Sequence, residues 1–403
     1  MSVARWAWTY LWSRPLTAVL NLVLLTLGLT VFGVVLQAQA QVERALQRDL
    51  AGVDLVVGAK GSPMQLIMAG VFHVDVPPGN VLLDDLRWLQ THPQVERFIP
   101  LSVGDNLAGF RIVGTTHDYL THHGARAAAG QWWGAPMQAA LGADVAQATG
   151  LLVGQTFLGA HGLGMGGPAH DEAAYTVVGV LAPCACVLDR LVLTATESVW
   201  QVHDEMHATP DMSAEDWAAL KADREVSMAL IRYNTPLAAV SLPRQVNATA
   251  TLQAAAPAME VTRLLSMLAV GTQAVQGLGV VMLLVAALSV WVALWQALRE
   301  RRTDIALMRV LGASPTRLAA LLLMEAVWLA LLSLLLSLLL TGGLTALIGW
   351  SLAHDVSLAV GGALSWAVWW PVPCVALGVA LLAAALPAIS AYRQDVQTLL
   401  SPR

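Results

Sequence analysis

The sequence predicts a membrane protein in which four transmembrane α-helices carry a large mixed α/β extracytoplasmic domain, inserted between helices one and two. Three observations lead there. No charged residue occurs between Arg14 and Glu43, and none from Leu264 to Leu298. Two more apolar runs follow, about Leu318–Trp350 and Trp366–Ile389. Between Glu43 and Thr262 the chain has ordinary soluble character. A helix needs roughly 20 apolar residues to cross a hydrocarbon core of about 30 Å, and each run is long enough.

Composition agrees. The 403 residues are 57% hydrophobic and 12% charged, against about 25% charged in soluble domains. Residues 43–262 hold 12 basic and 22 acidic side chains, whereas the rest of the chain holds 10 and 5. A nucleic-acid binder shows a basic stripe, and none is present. The only lysines are Lys60 and Lys221.

The elements follow in order. Residues 1–14 read as a cytoplasmic N-terminal stub and 15–42 as transmembrane helix 1 with the start of a stalk. Ala38-Gln39-Ala40 resembles a signal cleavage site, but signal cores run about 7–15 residues and Pro15–Leu36 is longer, so the segment reads as an uncleaved span. No breaker follows it through Leu46, which predicts a helix that leaves the bilayer intact. Residues 43–262 form the α/β domain, long enough to bury its own core. Within it, spacing predicts helices at Leu82–Leu89 and Thr196–His207. Strands are predicted at Phe110–Val113, Tyr175–Leu181, Asp189–Thr194 and Met228–Tyr233, and glycine-rich surface loops at 124–134 and 159–167. Residues 263–298 are a stalk with transmembrane helix 2: the 35 uncharged residues would make a helix of about 52 Å, longer than the core. Then come a cytoplasmic helix or loop at 299–317, helix 3 at 318–350, a short periplasmic turn at 351–365, helix 4 at 366–390 and a cytoplasmic tail at 391–403.

Arginines set the orientation, because cytoplasmic loops carry the excess of Arg and Lys. Arg299, Arg301, Arg302, Arg309 and Arg317 cluster in one loop, Arg5 and Arg14 precede span one, and Arg393 and Arg403 follow span four. The 351–365 turn has no Arg or Lys. Both termini and the 299–317 loop are therefore expected in the cytoplasm.

Several groups could carry chemistry. In the loop, Ile305, Leu307, Met308 and Leu311 make an apolar stripe at helical spacing, with Arg301, Arg302, Asp304 and Arg309 on polar positions. Gly312 suits the end of that helix, and Ser314-Pro315 the start of the next. Glu325 lies inside span three, where an ionisable residue is a functional hypothesis by default; a structural place near the inner headgroups is the plainer reading. All ten histidines fall on the outer side. His203 and His207 share a helix face, and His117, His122 and His123 form a second group. Imidazole suits zinc and copper, but most of the non-membrane chain is outside anyway, and no metal site is assigned. Cys374 reads as packing in span four. Cys184-Ala185-Cys186 would close a very small ring, so an unremarkable pair of small residues is favoured; separate thiols, an intermolecular link or a metal site also remain open. No P-loop is present: Gly58-Ala59-Lys60-Gly61-Ser62 lacks the G-x-x-x-x-G-K-[ST] spacing. Gly162-Leu163-Gly164-Met165-Gly166-Gly167 matches G-x-G-x-x-G, but Pro168 and the polar stretch after it do not open a helix. Asn247-Ala248-Thr249 is a glycosylation sequon by pattern alone.

The stretch from Glu300 to Ala313, ERRTDIALMRVLGA, closely resembles the signature loop of the FtsX-like ABC permeases, which include the MacB-like macrolide-efflux and lipoprotein-release permeases. The resemblance continues through Glu325 and Gly342-Gly343 and the one-plus-three order of spans. It extends to Asp54–Pro63, Gly142–Thr156 and Tyr175–Arg190 in the domain. It implies a non-catalytic permease subunit of the bacterial inner membrane, multi-pass, with its domain in the periplasm. The loop residues Arg299, Glu300, Arg301, Arg302, Asp304, Ile305, Met308, Arg309, Leu311 and Gly312 would dock on a separate cytoplasmic ABC ATPase, and Glu325 would have a coupling or structural role. ATP and Mg would be bound by that partner, with no cofactor in this chain. A second copy, membrane lipids and a periplasmic or outer-membrane protein are the other expected partners. Mechanotransmission through the stalk is the expected mode. A permease with a substrate or metal path through the membrane, and a non-transport regulator of an envelope partner, are the alternatives.

Overall fold

A computed structural model describes residues 3–163, 169–207, 213, 215, 224–300, 314–352 and 365–393. The chain divides into two units, one of residues 1–42, 267–352 and 360–403, the other of 43–266 and 353–359. Helix α1, Val3–Leu11, opens the chain. It lies in what the sequence reads as a cytoplasmic N-terminal stub. Ala7 and Leu11, four residues apart, share its buried face, while Trp6, Trp8 and Trp12 are exposed. Helix α2 is unbroken from Pro15 to Leu50. It begins on proline, whose fixed φ suits a first turn. Gly52 follows its end at φ +81°, the left-handed conformation that terminates helices.

The second unit builds two linked β layers. Its elements run β1 (Leu55–Ala59), α3 (Pro63–Gly70), β2 (Val81–Leu82), α4 (Leu83–Gln90), β3 (Val95–Leu107), β4 (Phe110–Thr115) and α5 (His117–His122). They continue through β5 (Ala127–Gly130), β6 (Gln138–Leu141), α6 (Ala143–Thr149), β7 (Thr156–His161), β8 (Ala169–Leu181) and β9 (Leu191–Ala195). The last are α7 (Thr196–His207), β10 (Glu225–Val226), β11 (Met228–Tyr233), α8 (Ala238–Ala248) and β12 (Leu252–Ala255). Strand β3 belongs to both layers. Its first half pairs antiparallel with β11, which leads to β1 and β12. Its second half pairs with β4, and the order β3-β4-β9-β6-β8-β7 returns to β3. Six strands thus close a ring, which leaves no open edge among them. The register shift between Val103 and Asp105 lies where the strand passes from one layer to the other. Bulges of this kind redirect a strand. Ala108 and Gly109, at φ +51° and +88°, make the tight β3–β4 turn.

Each layer has its own core. Leu55, Val57, Leu86, Leu89, Ile231, Leu242 and Val246 fill one; Ile112, Leu141, Phe157, Tyr175, Val177 and Val192 fill the other. A buried Leu or Ile contributes about 1.5–3 kcal/mol, so these residues dominate the unit's stability. At the ring's seam Asn106 Nδ2 donates to the carbonyls of Ala160 and Gly162 (3.2 and 2.9 Å). Lys60 Nζ donates to the carbonyls of Asn247, Thr249 and Leu252. It therefore ties the end of α8 to β1, a structural task far from phosphate binding.

Three expectations need correction. Residues 124–134 are not simply loop, because Ala127–Gly130 forms β5 beside β8. The 159–167 stretch opens as the end of β7, and 164–168 lie outside the described residues. The strand expected over Asp189–Thr194 starts later, after a 3-10 turn at Val187–Arg190.

The membrane unit continues with α9 (Pro257–Glu300), α10 (Pro315–Leu352), α11 (Trp366–Trp369) and α12 (Pro371–Arg393). With α2 these supply four helices long and apolar enough to cross a membrane. The break between α11 and α12 sits at Trp370-Pro371, where proline restricts the residue before it. Helix α10 packs with a stripe of Ser333, Ser337, Thr341 and Thr345, four residues apart and all buried. Small side chains let helices approach closely where no water drives them together. Gly33 of α2 meets that stripe: a Cβ there would lie 3.0 Å from Thr341 Oγ1. Ser289 Oγ donates to Asn21 Oδ1 at 2.6 Å, linking α9 to α2. Tryptophans mark two levels. Trp8, Trp12 and Trp328 form one edge-to-face group, while Trp350 near the end of α10 and Trp366 and Trp370 around α11 are exposed, and Trp369 is buried near Gly33. Trp328 and Trp350 stand 22 residues apart on α10, about 33 Å along a helix. That is close to the hydrocarbon thickness, and Trp favours both interfaces.

Gly142 precedes α6 at φ −61°, yet a Cβ there would fall 2.2 Å from the Leu188 carbonyl oxygen. Gly150 ends α6 at φ +70° with open space around it. Gly142→Ala should therefore cost about 3 kcal/mol or more, and Gly150→Ala only about 1–2 kcal/mol. Denaturant unfolding of the full chain, followed by circular dichroism, checks the order; the reverse order contradicts this packing.

Candidate functional site

The loop expected to couple the chain to a partner emerges from the end of α9. Arg299 and Glu300 complete that helix and are exposed. Arg301, Arg302, Asp304, Ile305, Met308, Arg309, Leu311 and Gly312 lie outside the described residues. The described residues resume at Ser314, whose hydroxyl bonds Thr316 Oγ1 at 2.8 Å, and α10 starts at Pro315 as the capping pattern predicts. Glu300 is ion-paired to Arg14, which stands just before α2. The last residue of α9 is thereby tied to the start of another membrane helix.

Glu325 sits ten residues into α10, about 15 Å from Pro315, and is 4% exposed. It faces a cavity of about 40 Å³ lined also by Tyr10, Arg14, Thr17, Asn21 and Ala293. That volume accommodates roughly two or three water molecules. Four helices contribute to it: α1 brings Tyr10, α2 brings Thr17 and Asn21, α9 brings Ala293, and α10 the carboxylate. Arg14 both lines this cavity and pairs with Glu300. A buried carboxylate in a low-dielectric setting is held strongly by nearby positive charge and donors. The cluster therefore links α1, α2, α9 and α10 through polar groups next to the loop. Sequence spacing marks Glu325 but not its polar neighbours Tyr10, Arg14, Thr17 and Asn21, which lie roughly 300 residues away in sequence.

The histidines are placed by the structure in separate roles. His117 Nε2 bonds the Trp133 carbonyl at 2.9 Å, and its ring lies on the Trp133 ring at 4.8 Å. His123 stands edge-on to both Tyr119 and His122, at 4.9 Å each. Tyr119 bonds His73 Nε2 at 2.9 Å. His122 packs over Gly52 at the end of α2, where a Cβ would come within 3.0 Å of its ring. The His73, His122 and His123 rings are kept neutral. Burial, with Arg111 and His123 nearby, pushes His73 down to about 3. Burial, with His122 and Arg48, pushes His123 down to about 3. Burial, with Arg97 and Arg232, lowers His122 as well. His161 instead pairs with the buried Asp105 at 3.0 Å across the ring seam. His203 and His207 share a face of α7 by position. Among the described residues no group of three or more His, Cys, Asp or Glu side chains is arranged to hold a metal.

The cysteine pair departs from its expected reading. Cys184 and Cys186 form a disulfide, with Cα atoms 5.1 Å apart. Ala185 between them adopts φ +52°, and this left-handed residue folds the chain back so that both sulfurs meet. The Asp189 carboxylate accepts from the Cys184 N–H at 3.0 Å and steadies the turn. Disulfides of this kind persist where the surroundings are oxidising.

His73 and His123 titrate near 6.5 when unfolded and near 3 when folded. The unfolded chain thus binds more protons between these values. Their stabilising contribution is complete above pH 6.5 and is lost as pH falls toward 3, at about 1–3 kcal/mol per pH unit for the pair. Unfolding followed by circular dichroism from pH 7.5 to 5 should show that decline, and His123→Gln should flatten it. A profile unchanged by the substitution contradicts the neutral cluster.

Comparisons with known proteins place the membrane part. The periplasmic region of MacB from Actinobacillus actinomycetemcomitans is 9% identical with a TM-score of 0.36, covering 53% of this chain and 95% of that one. The extracellular domain of the noncanonic ABC-type transporter YknZ from Gram-positive bacteria is 10% identical with a TM-score of 0.31, covering 50% and 98%. A domain of a putative permease protein from Porphyromonas gingivalis is 14% identical with a TM-score of 0.26, covering 48% and 77%. Scores of this size do not establish a shared fold. No curated protein matches the chain. Residues 277–396 match the family model described as FtsX-like permease C-terminal, a span that takes in most of α9, the loop, α10, α11 and α12. Over that segment, somewhat under a third of its length, the chain is similar to the FtsX-like permeases.

Proposed function

We propose that this chain is the membrane subunit of an ABC-type complex whose ATPase is a separate cytoplasmic protein. The observation that carries this reading is the family match over 277–396, which brackets the 299–317 loop. The loop would receive the ATPase, as the resemblance of its sequence implies. The sequence contains no P-loop spacing of its own.

In this reading, nucleotide-driven closure of the ATPase pushes on the loop. Helix α9 begins at Pro257 and ends at Glu300, so it is continuous from the second unit to the loop. Helix α2 is likewise continuous through its 36 residues. Force transmitted along both would act on the extracytoplasmic domain without a polar channel. The Arg14–Glu300 pair and the cavity at Glu325 would make α2 and α10 respond to any displacement of the end of α9. Two copies of the chain would pair, each with its own ATPase subunit, in a bacterial inner membrane. Export or extraction of an envelope substrate is the output this arrangement suits.

Asp304→Ala combined with Arg309→Ala should lower substrate-stimulated ATPase activity at least tenfold while the chain still assembles. Undiminished coupled activity contradicts loop docking. Recovery of an ATPase subunit in roughly equal amount, when the detergent-solubilised chain is isolated from its native membrane, is the prior test. A folded chain that never brings one down overturns the proposal.

A further inference from the structure

The outer flank of α1 has a task that ATPase docking does not explain. A cleft of about 390 Å³ opens between α1 and α10, lined by Ala4, Arg5, Trp8 and Trp328. Its walls are mostly apolar ring and methyl surface. Trp328 Nε1 donates to the Ala4 carbonyl at 3.1 Å, which fixes the indole as one wall. Trp8 stands edge-on to it at 5.1 Å. Arg5 is exposed at the rim, and among the described residues no carboxylate is paired with it.

Depth decides what such a cleft meets. Trp328 belongs to one of the two tryptophan levels, and interfacial tryptophans sit at the headgroup boundary. An arginine there faces lipid phosphates and extends its polar end toward them. Its planar fork of donors matches a phosphate geometrically and in charge. The apolar walls next to it suit an acyl chain.

We propose that the cleft binds one phospholipid, with its phosphodiester on the Arg5 guanidinium and an acyl chain along Trp8 and Trp328. The site would hold α1 against α10 at the membrane surface. This assignment is independent of the ATPase partner, since all four residues belong to this chain.

Native mass spectrometry of the full detergent-purified chain tests it. Phosphatidylglycerol and phosphatidylethanolamine, which share the phosphodiester, should each be retained as one molecule per chain. Diacylglycerol, which lacks it, should bind at least tenfold more weakly. Arg5→Gln should remove that difference, Arg5→Lys should keep most of it, and Arg244→Gln in the other unit should leave it intact. Equal retention by wild type and Arg5→Gln overturns the site, as does diacylglycerol binding as tightly as the phospholipids. Matching circular dichroism spectra and melting temperatures for the variants show that any loss reflects the site and not unfolding.

Discussion

The membrane unit depends on one constraint: its backbone polar groups must be satisfied where water is absent. Only helices whose hydrogen bonds are internal meet that demand in single segments. From it follow the long charge-free runs. The same lack of water removes the hydrophobic drive between helices, so packing is left to small side chains and a few polar contacts. The stripe from Ser333 to Thr345, the Gly33 contact and the Ser289–Asn21 hydrogen bond are its visible results. Glu325 lies one turn beyond Trp328 at the edge of the water-free region, where Arg14, Tyr10 and Asn21 give the carboxylate polar neighbours.

The second unit answers to water and solves a different problem. Ten strands of one sheet would expose long edges, and closing six of them into a ring removes most of that exposure. The 13-residue strand β3 makes this economical by serving both layers. Its bulge and the buried Asp105 and Asn106 lie at the seam. Polar side chains are buried there because the closing contact itself needs donors and acceptors, which His161, Ala160 and Gly162 supply.

Much of this is legible in the sequence, and the failures have causes. The apolar runs announce their helices because their length and lack of charge leave no other stable state. Strand β4, the second half of β8 and strand β11 are legible because each carries a short run of apolar or β-branched residues bounded by turn signals. Strand β3 is not, since Glu96, Arg97, Pro100 and Gly104 interrupt its pattern and its buried face changes where it passes between layers. Strand β5 is invisible because Ala127–Gly130 is exposed throughout and carries no periodic signal. The disulfide escapes because the objection to so small a ring assumes an ordinary backbone at Ala185. In the candidate site the loop motif is local and can be read directly. The meeting of Arg14 with Glu300, and of Tyr10 with the cavity at Glu325, joins segments roughly 300 residues apart, and no spacing rule reports such contacts.

The tryptophan distribution has a practical corollary. Ten of the fifteen lie in the membrane unit, and five in the other. The native ultraviolet emission of this protein is therefore weighted toward its bilayer-facing part. Quenchers dissolved in lipid will see most of that light, and quenchers confined to water far less of it. Loss of structure in the β unit alone would act on only a third of the emitters, so an emission-based melt would weigh the membrane unit about twice as heavily as the other.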